Sequence, residues 1–142
     1  MLLVLDSNEY IFSFGFFRKE TSRILLDTIV ELIPRYSIRI PRLIAREVQR
    51  NLTPEEYTEF IHFLHTLDIE IDDDASVPFE IGAKYESQGL KSADAFIAAF
   101  TEWVGADVLI TENRHFLTRR TDLPFKVLIA EQFLRSVSHH NS

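Results

Sequence analysis

Apolar residues in this chain fall into short unbroken runs that alternate with longer stretches at helical spacing. Leu2 to Leu5 is an unbroken run, predicting a buried strand that stops at Asp6. Residues 21 to about 33 carry Ile24, Leu25, Thr28, Ile29 and Leu32 at helical spacing, halted by Pro34. Ser37 to Ile40 reads as a second strand, and Pro41 opens a helix to about Leu52. Thr53-Pro54-Glu55-Glu56 is a helix start with a capping residue, a proline in the first turn and two acids there; that helix runs to about Leu67. A brief strand at 69–71 ends in Asp72-Asp73-Asp74. Two helices follow, at 77 to about 87 and from Ser92 to Gly105, the second turning Ala93, Phe96, Ile97, Phe100, Trp103 and Val104 to the core. Asp107 to Ile110 is a strand, 113–119 a short helix, Lys126 to Ile129 a last strand and Glu131 to about Val137 a closing helix.

Short apolar strands alternating with helices imply an α/β fold with a parallel sheet covered on both faces. At 142 residues one domain is expected, with 138–142 as a flexible tail. Sites in such sheets gather beyond the carboxyl ends of the strands, so the polar residues at those ends carry the functional question. One is "LITENRHF" at 109–116, where Val108-Leu109-Ile110 stops on Thr111-Glu112-Asn113.

Composition narrows the classes. The chain has no cysteine, so disulfides and thiolate metal sites are excluded. Met1 to Leu5 is too short for a signal peptide, and no apolar stretch nears the roughly 20 residues that span a bilayer, so a soluble cytoplasmic domain is expected. The net charge of -7 is unevenly spread: residues 1–50 hold eight Lys/Arg against six Asp/Glu, residues 51–112 two against fourteen, and residues 113–142 five against two. Two mildly basic ends leave room for a surface that binds phosphate, although charge that serves only solubility has the same look. There is no Gly-x-Ser-x-Gly elbow and no Gly-rich phosphate loop.

The acids at the strand ends are individually ambiguous. Asp6-Ser7-Asn8 suits a helix cap or a turn, and Asp94 suits the first turn of its helix. Glu47 borders the apolar stripe of Leu43, Ile44, Val48 and Leu52, where a carboxylate needs a partner, and Arg46 or Arg50 could supply a salt bridge. Together they mean more. If the tips of the first strand and of 107–110 lie side by side, Asp6, Glu47, Asp94 and the Thr111-Glu112-Asn113 tip converge. Carboxylates so crowded require a divalent cation, and oxygen ligands select Mg²⁺ or Mn²⁺.

Four stretches, "LVLDSN" at 3–8, "PRLIAREV" at 41–48, "LKSADAFIAAF" at 90–100 and "DVLITENRHF" at 107–116, resemble in order and spacing the PIN-domain family, particularly the small VapC-type ribonucleases of toxin–antitoxin pairs. The resemblance implies a three-layer α/β/α sandwich with a central, mostly parallel sheet. It also implies Mg²⁺- or Mn²⁺-dependent hydrolysis of RNA, an antitoxin partner and a homodimer. Its acids fall on Asp6, Glu47 and Asp94, as catalytic residues and metal ligands. A fourth position, often Asp in the family, falls on Asn113, with Glu112 one residue away as a substitute. Glu9 also departs from the pattern, as an extra acid near the site or a solvent-facing one.

On that resemblance, Ser7 and Thr111 would hydrogen-bond the carboxylates, or serve as turn residues. Arg114, Arg119 and Arg120 beside the strand tip would meet the RNA substrate, and the Arg42, Arg46, Arg50 stripe would meet RNA phosphates or an antitoxin's acidic segment, or be a solvated face. His62 and His65 read as incidental surface residues and His115 as a weak phosphate contact. The alternatives are a non-catalytic RNA- or protein-binding module, kept open by Asn113, and a structure-selective DNA nuclease.

Overall fold

The computed structural model describes residues 1–113, Phe116 and 122–140, the side chains of residues 139 and 140 excepted. The elements run β1 (Leu2–Leu5), α1 (Ser7–Phe14), α2 (Glu20–Glu31), β2 (Ser37–Ile38), β3 (Ile40–Pro41), α3 (Arg42–Arg50), α4 (Pro54–Thr66), β4 (Ile71–Asp72), α5 (Phe79–Ser87), α6 (Ser92–Trp103), β5 (Val108–Ile110), β6 (Lys126–Leu128) and α7 (Ala130–His140). A parallel sheet has the order β2-β1-β5-β6, and β3 and β4 form a separate parallel pair. Leu3, Val4 and Leu5 face Val108, Leu109 and Ile110 in register, and all six are buried. Because neighbouring side chains point to opposite faces, burial of all six means that both faces of these strands are covered.

The caps explain where helices start. Thr53 and Glu56 form a reciprocal capping box at the head of α4. Phe60 and Leu64 of that helix are buried, and Phe60 stacks edge-on against Tyr10 and Phe14, which makes them core residues. The acidic triplet that begins at the last residue of β4 is structural throughout: Asp72 takes a two-pronged bond from Arg39 at 2.7 and 2.9 Å, Asp73 caps the turn behind it, and Asp74 accepts from the Leu43 N–H at 3.2 Å.

Several expectations change. The strand foreseen over 37–40 splits at Arg39, whose neighbours enter two different sheets. The strand foreseen at 69–71 shifts to Ile71–Asp72, pairing with Ile40–Pro41. Helix α1 was not foreseen, since Asp6-Ser7-Asn8 also reads as a turn. On α6, Ile97 and Phe100 are buried and Phe96 and Val104 pack half-buried against the core, as expected, whereas Ala93 is exposed and Trp103 is 41% exposed; Ala95, Ala98 and Ala99 complete the buried face. The closing helix continues past Val137 to His140, into the stretch expected to be tail. No helix among the described residues is long and apolar enough to cross a membrane. The predicted helix at 113–119 falls almost wholly outside the described residues.

Candidate functional site

Strand β1 ends at Leu5, and Asp6 is at once its next residue and the N-cap of α1. The Asp6 N–H donates to the Ile110 carbonyl at 2.9 Å, which ties it to the end of β5. Its carboxylate is almost fully buried and held at both oxygens: the Ser7 N–H donates to Oδ1 at 2.8 Å and the Thr111 hydroxyl to Oδ2 at 2.7 Å. The cap and site readings of Asp6 are therefore compatible. Burial pushes the Asp6 carboxyl above its ordinary value, the bonds from Thr111 and Ser7 pull it back, and the negative charges of Glu47 and Asp94 raise it further.

Glu47 projects from the middle of α3, half-buried beside the buried Ile44 and Val48. Among the described residues no ion pair joins it to Arg46 or Arg50, both of which are exposed. Asp94 sits in the first turn of α6 and accepts from Asn113 Nδ2 at 3.3 Å. The Asn113 N–H in turn donates to Thr111 Oγ1 at 3.0 Å. Thr111 thus links Asp6 to the Asn113–Asp94 pair.

Glu112 goes elsewhere. Its Oε2 accepts from the Ala130 N–H, at the head of α7, at 3.2 Å, and its side chain is hydrogen-bonded to Glu9. Glu9 is only 1% exposed, so its solvent-facing reading is excluded; the Ser22 hydroxyl donates to its Oε2 at 3.3 Å. Burial first, then the bond and charge of Glu112, push the Glu9 carboxyl up to about 9, so the Glu9–Glu112 pair holds a proton at neutral pH. Asn113, not Glu112, is the neighbour of Asp94. Sequence reasoning missed the Glu9–Glu112 pair; an acid inside the apolar run of α1 was the available signal.

The donor set is all oxygen and suits a hard divalent cation. Its spacing is looser: among the described residues no group of three or more His, Asp or Glu side chains stands closely enough to hold a metal ion. Arg114, His115, Arg119 and Arg120 lie outside the described residues, and His62 and His65 are exposed on α4.

No family model matches the chain, and no curated protein matches it. Solved structures do. A chain in the crystal structure of VapBC2 from Rickettsia felis bound to a DNA fragment from their promoter has a TM-score of 0.61 at 17% identity, over 89% of this chain and 97% of that one. A chain of FitAcB from Neisseria gonorrhoeae has a TM-score of 0.59 at 15% identity, over 91% and 98% respectively. These comparisons correct the expected membership of the PIN-domain family and its VapC-type ribonucleases: the four motifs match no family model, and at such identities the likeness is one of fold. The chain is an α/β protein with a mostly parallel sheet, similar in fold to chains from toxin–antitoxin complexes.

Proposed function

We propose that this chain hydrolyses RNA phosphodiester bonds with Mg²⁺ or Mn²⁺ and is the catalytic member of a toxin–antitoxin pair. One observation supports this above all: at the shared carboxyl edge of β1 and β5, a buried Asp6 bonded to Thr111 feels the charges of both Glu47 and Asp94. Carboxylates that raise one another's pKa in this way are relieved by a cation between them. Asp6, Glu47 and Asp94 would hold it, with the Asn113 carbonyl as a neutral arm; Glu112, engaged by Glu9 and Ala130, is left out of the set. Uptake requires Glu47 and Asp94 to draw in toward Asp6. When bound, the cation would supply a more acidic water as nucleophile and charge neutralisation at the phosphate.

The remaining work falls to the chain itself. Thr111 and the Ser7 N–H hold the Asp6 carboxylate in one orientation, and Asn113 holds Asp94. Exposed Arg46 and Arg50 flank Glu47 along α3 and would bind phosphates of the substrate strand. The fold likeness to chains of toxin–antitoxin complexes supports a partner protein, and the three-layer arrangement and a homodimer belong to the same proposal.

A second reading, an RNA- or protein-binding module without catalysis, is favoured by the looseness of the carboxylates and by Asn113 in place of an acid. Calorimetric titration with Mn²⁺, beside cleavage of labelled single-stranded RNA and matched DNA, separates the two. Saturable Mn²⁺ uptake that Asp94→Asn removes, with RNA cut and EDTA stopping it, is the expected result. RNA binding with neither uptake nor cleavage would establish the module instead.

A further inference from the structure

Beyond α1 the chain presents two large apolar side chains to water. Phe16 is 85% exposed and Phe17 80%, with ring centroids 5.2 Å apart and planes at 90°. Gly15 makes this turn possible: a Cβ there would lie 2.6 Å from the Ile11 carbonyl oxygen and 3.2 Å from Leu52 Cδ2, so only glycine lets α1 end tightly against the segment after α3. The two rings are thereby pushed outward, onto a groove of about 540 Å³ that also takes in Phe12 and Arg50.

The charges around these rings choose between occupants. Lys19 Nζ lies 4.3 Å from the Phe12 ring centroid, and Arg18 follows Phe17 directly. Among the described residues, Arg18, Lys19 and Arg50 form no ion pair. The acid on the rim, Glu56, is occupied by the Thr53 N–H at 2.9 Å. Arg18 Nε donates to the Gly15 carbonyl at 3.4 Å, and Lys19 rests over Phe12, so both cations are held close to the rings while Arg50 stands exposed in the groove. Exposed aromatic rings beside such cations match a single-stranded nucleic acid, whose bases stack while its phosphates are neutralised.

The groove also continues the candidate site. Its Arg50 and Asn51 lie one helical turn beyond Glu47, and Asn51 Nδ2 donates to the Glu47 carbonyl at 2.8 Å. Along α1, the eight residues from Ser7 to Phe14 span about 12 Å between Asp6 and the rings, the reach of a few nucleotides. We propose that Phe16 and Phe17, with Phe12, Lys19 and Arg50, form a base-stacking platform that grips single-stranded RNA beside the Asp6 site. The choice of RNA rests on the proposed hydrolase reading.

The test is fluorescence anisotropy of a labelled single-stranded RNA with the full chain in EDTA, so that binding is read without cleavage. Replacing both rings by leucine, which keeps apolar surface but cannot stack, weakens binding by about tenfold or more, while tryptophan at both positions preserves it. Arg50→Gln lowers the slope of log affinity against log salt by about 0.7. Equal binding by the leucine variant overturns the platform, and so does a wild-type dimer in sedimentation that the leucine variant dissolves, since the rings then join copies of the chain. Loss of cleavage with intact platform binding counts against the hydrolase alone; intact cleavage with no effect of the ring variants counts against the platform alone.

Discussion

The Thr111 hydroxyl donates to Asp6 Oδ2 at 2.7 Å, joining positions 105 residues apart in the chain. Both groups are buried, and the same Thr111 oxygen accepts the Asn113 N–H. Thr111→Val removes the donor and keeps the volume, leaving a carboxylate oxygen without its partner. Unfolding in urea should show a loss of about 1–3 kcal/mol, and Thr111→Ser should recover most of it. Equal stability of the valine variant would show that the bond holds nothing in place.

Asn113→Asp adds a charge beside Asp94. Without metal the two carboxylates repel; with Mn²⁺ the added charge strengthens the site. Calorimetry should show Mn²⁺ bound on the order of tenfold more tightly, and melting should show a larger gain on metal addition than for the wild type. Unchanged affinity would remove residue 113 from the ligand set.

Glu9 gives the pH dependence. Its folded-state value, about 9, lies above the ordinary 4.5, so the folded state holds a proton that the unfolded state gives up between these values. Its contribution is fully present below pH 4.5 and is lost as pH rises toward 9. Glu9→Gln keeps a donor toward Glu112 without titrating. The variant should match the wild type near pH 4 and exceed it by a margin that grows as pH rises toward 9. Parallel stability curves across that range would contradict a protonated Glu9.

Tyr10 is fully buried, and its hydroxyl has no hydrogen-bond partner among the described residues. Burial and the neighbouring Glu9 both raise its pKa, so it stays neutral and unpaired. Tyr10→Phe keeps the edge-on contact with Phe60 and sheds the unmet group. Thermal unfolding should show a gain of about 1 kcal/mol. A loss of that size would reveal a partner for the hydroxyl.

Much of this architecture follows from local pattern. The run at Leu2–Leu5, the helix start at Thr53-Pro54 and the strand read over 107–110 are short-range signals; the first two emerged where the pattern put them and the third one residue shorter, at Val108–Ile110. What the pattern cannot express is tertiary choice. Arg39 divides a strand because Asp72 holds it from 33 residues away. On α6, Ala95, Ala98 and Ala99 share the buried face with Ile97 and Phe100 while Trp103 lies outside it, because burial follows the helix face that packs on its neighbours and not the size of an apolar side chain. For the candidate site, Asp6, Asp94 and the Thr111-Glu112-Asn113 tip were legible as strand-end and helix-start positions, and Asn113 was singled out by the resemblance alone. Glu112 was not separable from Asn113, because the direction of its side chain is set by Glu9 and by the head of α7. Family membership was overread from four loose motifs whose order follows the fold.

The most direct measurement is cleavage of a single-stranded RNA by the purified chain in Mn²⁺, wild type against Asp6→Asn. Asparagine still accepts the Ser7 N–H as a helix cap, so the change removes charge and spares α1; circular dichroism should confirm the fold. Cleavage by the wild type and its loss in the Asp6→Asn variant are the predicted result. Cleavage that survives in the variant, or a folded wild type that binds Mn²⁺ and cuts no RNA, would contradict a hydrolytic site at Asp6.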